Sequence, residues 1–241
     1  MKAIILAAGI GKRLKPFTQT SAKCLVKIAG RTLLDRYLES LSRVGIREAV
    51  LVVGHFKDKV MAEAGQGKYG VAVRYLDNER YTEGNIYSVY LASREFDDDI
   101  LMMDADVLFH LGLLERLVRS ANASCYLMDE GFIEEMGEEC KVAALNGRVV
   151  ANNRVITRQF DRVGEGLGFL KLSRDAAVEL AGILDDFVRG GKTDKEYEDA
   201  LEVLLDRKVV GFEVVGDLPW TEIDFPEDIA KAEKLAAEHH L

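Results

Sequence analysis

The chain has 241 residues, with 32 Lys plus Arg against 41 Asp plus Glu and a formal net charge of −9. Its 48% hydrophobic and 30% charged residues are the composition of a globular protein that buries a core, which excludes long disorder. The acidic excess argues against a nucleic-acid binder working through a basic face, and no apolar run is long enough to span a bilayer.

The first run, Ala3-Ile4-Ile5-Leu6-Ala7, passes into Gly9-Ile10-Gly11-Lys12-Arg13 without a small-residue cleavage site, so it reads as a strand of a cytoplasmic protein rather than a signal peptide. Residues 49–53, 71–76 and 100–103 are further short β-rich runs, and near-continuous apolarity is what a parallel strand buried on both faces requires. Between them Leu33, Leu34, Tyr37, Leu38, Leu41 and Val44 recur at helical spacing, with Gly45 as a stop. Helices are also expected over 85–94 and 111–119. Alternating strands and helices predict an α/β, doubly wound, mostly parallel sheet of Rossmann-like type.

The second half is more mixed and predicts a small substrate-side lobe. Asn146-Gly147 within 141–150 signals a hairpin, 167–172 and 208–215 read as strands, and 175–188 and 194–206 read as helices. Pro226 opens a final helix with Glu227 and Asp228 in its first turn. With three Pro and no composition break, a single domain over 1–241 is expected. Cys24, Cys125 and Cys140 form no CxxC pair, and no Ser–His–Asp or Cys–His arrangement stands out.

Three segments carry chemistry. Leu6-Ala7-Ala8-Gly9-Ile10-Gly11-Lys12-Arg13 follows the first strand, and glycines there let backbone N–H groups approach phosphate oxygens. With Lys15 and Lys23 nearby, the loop reads either as an anion site or as a solvated turn with ordinary surface charges. It fits neither the dinucleotide fingerprint nor the P-loop. Asp104 and Asp106 sit at the end of a buried strand, two apart and expected on one face, where a hard cation such as Mg²⁺ could be held or a helix simply capped. Trp220-Thr221-Glu222-Ile223-Asp224 precedes the last helix and could equally be an N-cap device.

Taken together, Leu6 through Pro16, Lys23 and Leu25-Val26-Lys27-Ile28-Ala29-Gly30 resemble the signature of the nucleotidyltransferase family, over about 25 residues with its anchors in order. Cys24 stands where that family usually has Pro. The resemblance implies transfer of a nucleoside monophosphate from an NTP to a phosphorylated acceptor. It implies Leu6, Ala7, Ala8, Gly9, Gly11, Lys12 and Arg13 against the triphosphate, Arg13 and Lys23 as catalytic cations, and Mg²⁺ on Asp106 and Asp224, with Asp104 behind them. Gly84-Asn85-Ile86-Tyr87-Ser88 and Gly164-Glu165-Gly166 are similar to phosphocholine and 2-aminoethylphosphonate cytidylyltransferases, and the Glu-Lys-Pro segment of sugar enzymes is absent between Ala144 and Phe169. That implies CTP as donor, Gly84 and Asn85 on the nucleotide, and Lys23, Tyr87, Asp129, Glu165 and Tyr197 around a small phosphorylated alcohol or phosphonate. Residues 1–120 would then form the nucleotide half and 121–241 the acceptor half, in a monomer or homodimer. A sugar-1-phosphate enzyme using UTP, dTTP or GTP, and a non-catalytic relative of the same fold, are the other readings.

Overall fold

The computed structural model describes residues 1–131 and 139–241. The chain runs through β1 (Lys2–Ala7), β2 (Lys27–Ile28), β3 (Arg31–Thr32), α1 (Leu33–Arg43), β4 (Glu48–Val53), α2 (Lys57–Ala64), β5 (Gly67–Lys68), β6 (Val71–Asp77), α3 (Ile86–Ala92), β7 (Ile100–Asp104), β8 (Val107–Phe109) and α4 (Leu111–Arg119). It continues through β9 (Cys125–Asp129), β10 (Lys141–Leu145), β11 (Arg148–Asn153), β12 (Arg162–Leu172), α5 (Arg174–Arg189), α6 (Tyr197–Arg207), β13 (Gly211–Val214), β14 (Trp220–Glu222) and α7 (Pro226–His239).

The main sheet is mixed, in the order β11-β10-β12-β7-β1-β4-β6-β5. Its centre is parallel: β1 lies between β7 and β4, and β4 pairs with β6 in the same sense. Side chains alternate across these strands. Ala3, Ile5 and Ala7 enter one core with α1, α4 and α7, while Ile4 enters the other with α3, α5 and α6. Helices on both faces are why the central strands are apolar at nearly every position.

β12 joins this parallel block to an antiparallel one. On one edge it pairs with β10 through Glu165 and with β7 from Phe169 onward, leaving residues 166–168 between the two partners. On its other edge the register with β9 slips between Gly166 and Leu170, and Gly168 takes φ +69° at that bulge. A Cβ at Gly168 would stand 2.5 Å from Asp104 Oδ2, so the bulge lets the two strands close against the Asp104 carboxyl. The gap opens the main cleft.

The expected doubly wound, mostly parallel architecture is the one observed, with local differences. The hairpin at 141–150 turns at Asn146 and Gly147, both with positive φ. The strand expected at 167–172 starts at Arg162, and the helix expected from 194 begins at Tyr197. Residues 193–195 form a turn instead, tied to the start of α3 by backbone contacts: Gly84 N donates to Thr193 O at 3.0 Å and Ile86 N to Lys195 O at 3.4 Å. The strand expected at 208–215 is confined to Gly211–Val214 and pairs with β9.

Candidate active site

A cavity of about 520 Å³ opens above the carboxyl ends of β1 and β7, lined by the loop after β1, by 81–85, by 104–107, by 165–170 and by 196–198. That size suits a small-molecule site, and strand carboxyl ends are where open α/β sheets bind ligands.

The glycine loop forms one wall. Gly11 sits at φ +63°, a left-handed backbone that a side chain would strain. Thr18 Oγ1 donates to Gly11 O at 2.7 Å, and an added Cβ would meet Thr18 Cγ2 at 2.9 Å and Lys23 Cβ at 3.4 Å. The close packing delivers the Lys23 side chain beside the loop.

Lys23 then meets the carboxylates. Its Nζ donates to Asp106 Oδ2 at 2.7 Å and to Asp224 Oδ1, while Arg13 donates to the other oxygen of Asp224 at 2.5 Å. Two strands make this convergence. β14 pairs with β8, setting Glu222 opposite Val107, and Ile223 N extends the ladder to Asp106 O at 3.0 Å. Tyr37 of α1 pins the turn between β7 and β8, donating its hydroxyl to Asp104 O at 2.7 Å and accepting from Val107 N at 3.1 Å. The Tyr37 ring packs edge-on against Phe109 and Phe169 beneath it.

The electrostatics are those of a loaded charge cluster. Burial opposes the Lys23 charge, but Asp106, Asp224 and Glu222 outweigh it and hold the ammonium above its usual range. Burial would likewise raise Asp224, yet Lys23 and Arg13 hold it below the usual carboxylate range. Glu222 is pushed well above that range by burial and by the Asp106 and Asp224 charges.

These groups fit a divalent cation. Ligand oxygens of Asp106, Glu222 and Asp224 lie within 4.8 Å of one another. Asp106 Oδ1 is buried and has no hydrogen-bond partner among the described residues. A buried carboxylate oxygen with no donor is costly, and hard oxygen donors at this spacing suit Mg²⁺. Glu222, which was not among the expected ligands, joins them because strand pairing places it beside Asp106. The capping alternative for this segment is met by another residue: Asp228 accepts from Asp224 N and Phe225 N, leaving the Asp224 carboxylate to the cations.

Asp104 and Asp106 are not two residues of one strand: β7 ends at Asp104 and Asp106 lies in the turn that follows, although both line the cavity. Asp104 instead accepts from the Tyr197 hydroxyl at 2.7 Å, and burial with the nearby Asp106 charge pushes it well above the usual range. Of the residues singled out in the sequence, Leu6, Ala7, Ala8, Gly9, Gly11, Lys12, Arg13, Lys23, Gly84, Asn85, Glu165 and Tyr197 line the cavity.

Tyr87 and Asp129 do not. Tyr87 stacks under the Arg80 guanidinium at 4.2 Å, and Asp129 Oδ2 accepts from Trp220 Nε1 at 2.7 Å. Asn85 lines the cavity, but its Oδ1 accepts from Tyr197 N at 2.7 Å, so it positions the start of α6. Gly84 likewise commits its N–H to Thr193. Arg154, Glu196 and Glu198, which were not among the expected site residues, also line the cavity, with Tyr126, Cys140 and Asn152. The Glu196-Tyr197-Glu198 run was the available signal, and only Tyr197 was drawn from it.

Cations, carboxylates and a glycine loop at the ends of parallel strands define an α/β protein built to handle phosphate groups. The chain belongs to the MobA-like NTP transferase family, whose domain it matches over residues 3–140. A CMP-5'-(3-aminopropyl)phosphonate synthase of Streptomyces rubellomurinus is 38% identical over 125 residues, 52% of this chain and 20% of that protein. The choline-phosphate cytidylyltransferase of Streptococcus pneumoniae is 28% identical over 98% of both chains. A crystal structure of CTP:phosphocholine cytidylyltransferase from that organism superposes with a TM-score of 0.76 at 25% identity, covering 97% of this chain and 98% of that one. Sugar enzymes match as well: a glucose-1-phosphate thymidylyltransferase of Streptomyces griseus is 37% identical over 52% of this chain and 35% of its own length. The chain therefore spans only a fifth of the first of these relatives, and about a third of the last. Among the described residues, no helix is long and apolar enough to cross a membrane.

Proposed function

We propose that the chain transfers a cytidylyl group from CTP to a small phosphorylated alcohol or phosphonate. An acceptor phosphate or phosphonate oxygen attacks the α-phosphorus, a new P–O bond forms, the bond to the bridging oxygen breaks, and pyrophosphate leaves. The observation that carries this reading is the meeting of Lys23 with Asp106 and Asp224 beside the Gly9–Gly11 loop. An acceptor phosphate is already ionised near neutrality, so positioning and charge stabilisation are what the reaction needs from the protein.

In this reading Gly9, Gly11, Lys12 and Arg13 bind the triphosphate, and Lys23 turns from its carboxylates to the reacting phosphates. Asp106, Glu222 and Asp224 would hold Mg²⁺, which when bound supplies neutralisation of the phosphate charge. Residues 1–120 serve the nucleotide and 121–241 the acceptor, with Tyr197 and Glu165 on the acceptor side. The cytidylyltransferase relatives support CTP as the donor.

A sugar-1-phosphate reading has the Streptomyces griseus relative in its favour, which matches about half of this chain, as the phosphonate synthase does, whereas the choline-phosphate cytidylyltransferase matches nearly all of it. Pyrophosphate release measured with CTP, UTP, dTTP and GTP against phosphocholine, 2-aminoethylphosphonate, inositol 1-phosphate and glucose 1-phosphate tests the choice. The expected result is turnover with CTP and a small phospho-alcohol or phosphonate. Best turnover with glucose 1-phosphate and UTP or dTTP would replace it with the sugar reading.

A further inference from the structure

Where α7 begins, one carboxylate oxygen holds two backbone groups. Asp228 stands at the third helical position, and its Oδ2 accepts from Phe225 N at 2.7 Å and from Asp224 N at 2.8 Å. The first bond is ordinary helix chemistry, because an acidic side chain at that position reaches back to the N–H of the capping residue, here Phe225. The second is not. Asp224 precedes the cap, and its N–H is not among the four that a helix leaves unpaired at its start. The helix would be capped equally well without it.

That extra bond fixes a residue on which the site depends. Asp224 lies between two anchored neighbours: Ile223 N donates to Asp106 O at 3.0 Å, and Phe225 N is held by Asp228. Between them the Asp224 carboxylate meets Lys23 and Arg13, and its oxygens stand with those of Asp106 and Glu222 around one possible ion position. Phe225, the other residue that Asp228 holds, carries the ring 5.1 Å from the Arg13 guanidinium. Both groups that flank Arg13 therefore hang on the same Asp228 oxygen. Asp228 itself is outside the cavity lining, so it acts through these two residues. Ligand geometry in a metal site tolerates displacements of only about 0.5 Å, which gives such a tether its leverage.

We propose that Asp228 is a positioning residue for the metal site: by bonding Asp224 N it fixes the backbone that carries one ligand, and through Phe225 it keeps Arg13 beside that ligand. The inference rests on the metal-holding role of Asp106, Glu222 and Asp224 given above, and not on the identity of the nucleotide or the acceptor.

The test is a titration of Mn²⁺, a hard divalent probe that carboxylates hold, into the intact chain without nucleotide, with the free ion counted by electron paramagnetic resonance. Asp228→Ala should raise the Mn²⁺ Kd by at least about tenfold, the usual cost of removing a group that orients a ligand. Asp228→Asn keeps an acceptor oxygen in the same place and should restore most of the affinity. Glu233→Ala controls for a merely loosened helix: both Glu233 oxygens accept from Ala29 N, so its loss frees α7 elsewhere, and the Mn²⁺ Kd should keep its wild-type value. Urea unfolding checks that each variant folds, and Asp228→Ser, too short to reach Asp224 N, replaces Asp228→Ala if that chain does not. In pyrophosphate release from CTP, Asp228→Ala should lose turnover at low Mg²⁺ and recover part of it as Mg²⁺ is raised. An unchanged Mn²⁺ Kd in Asp228→Ala, an equal loss in Asp228→Asn or Glu233→Ala, or no Mn²⁺ bound by wild type would overturn the proposal. Absence of turnover with CTP would overturn the cytidylyl reading instead, and the Mn²⁺ titration would still decide this one.

Discussion

Lys23 Nζ lies 2.7 Å from Asp106 Oδ2, although 83 residues separate them along the chain. In that contact the amine neutralises carboxylates that would otherwise repel one another, and the carboxylates hold the amine beside the glycine loop. Lys23→Ala should therefore lower kcat/KM by about two orders of magnitude or more, roughly the 3 kcal/mol that a charge-assisted contact strengthened in the transition state supplies. Lys12→Ala, in the loop but with no bridge to the acidic cluster among the described residues, should cost much less. Steady-state pyrophosphate release on both variants checks it, and equally mild effects would refute the phosphate-cradle assignment.

Asp106, Glu222 and Asp224 should behave as one unit. Asp106→Asn, Glu222→Gln and Asp224→Asn are each expected to cut turnover by about 10²–10³-fold while the fold persists. Chelation of divalent cations should silence the wild type, and added Mg²⁺ should restore it. Full Mg²⁺-supported turnover in the Glu222 variant would remove that residue from the set.

Tyr37 links the two halves of the β7–β8 turn through one hydroxyl. Tyr37→Phe leaves Asp104 O and Val107 N without that bridge in a buried place, which should cost about 1–3 kcal/mol of stability. Urea unfolding measures it. A larger loss of kcat than of substrate affinity is also expected, because the turn carries Asp106.

Glu198 gives the stability a pH dependence. Its folded value of about 7 exceeds the ordinary 4.5, with Glu196, Arg154, Asn85, Cys140 and Asp104 facing it or near it. Between these values the folded chain keeps a proton that the unfolded chain has released. The associated stability is thus full below about 4.5 and is lost as pH rises through about 7. Glu198→Gln should remove this slope, so the stability of the variant relative to wild type should increase from pH 5 to pH 8 in urea titrations.

Much of the architecture was legible in the sequence. A strand covered by helices on both faces must be apolar at nearly every position, and 3–7, 49–53 and 100–103 carry that pattern in their own residues. The glycine loop, Arg13, Lys23, Asp106 and Asp224 were also named there, through the family resemblance that the local motif around residues 6–30 carries. What the tertiary structure decided depends on which distant segments touch. Glu222 joins Asp106 through the β8–β14 ladder, Asp104 is bonded by the Tyr197 hydroxyl, and Asp129 is spent on Trp220. Tyr87 lies against Arg80 and outside the cavity lining, and Glu198 lines the cavity from the first turn of α6. A residue's chemical type is written in the chain, but the partner that satisfies it is set by strand pairing and helix packing across separations of 83 to 211 residues.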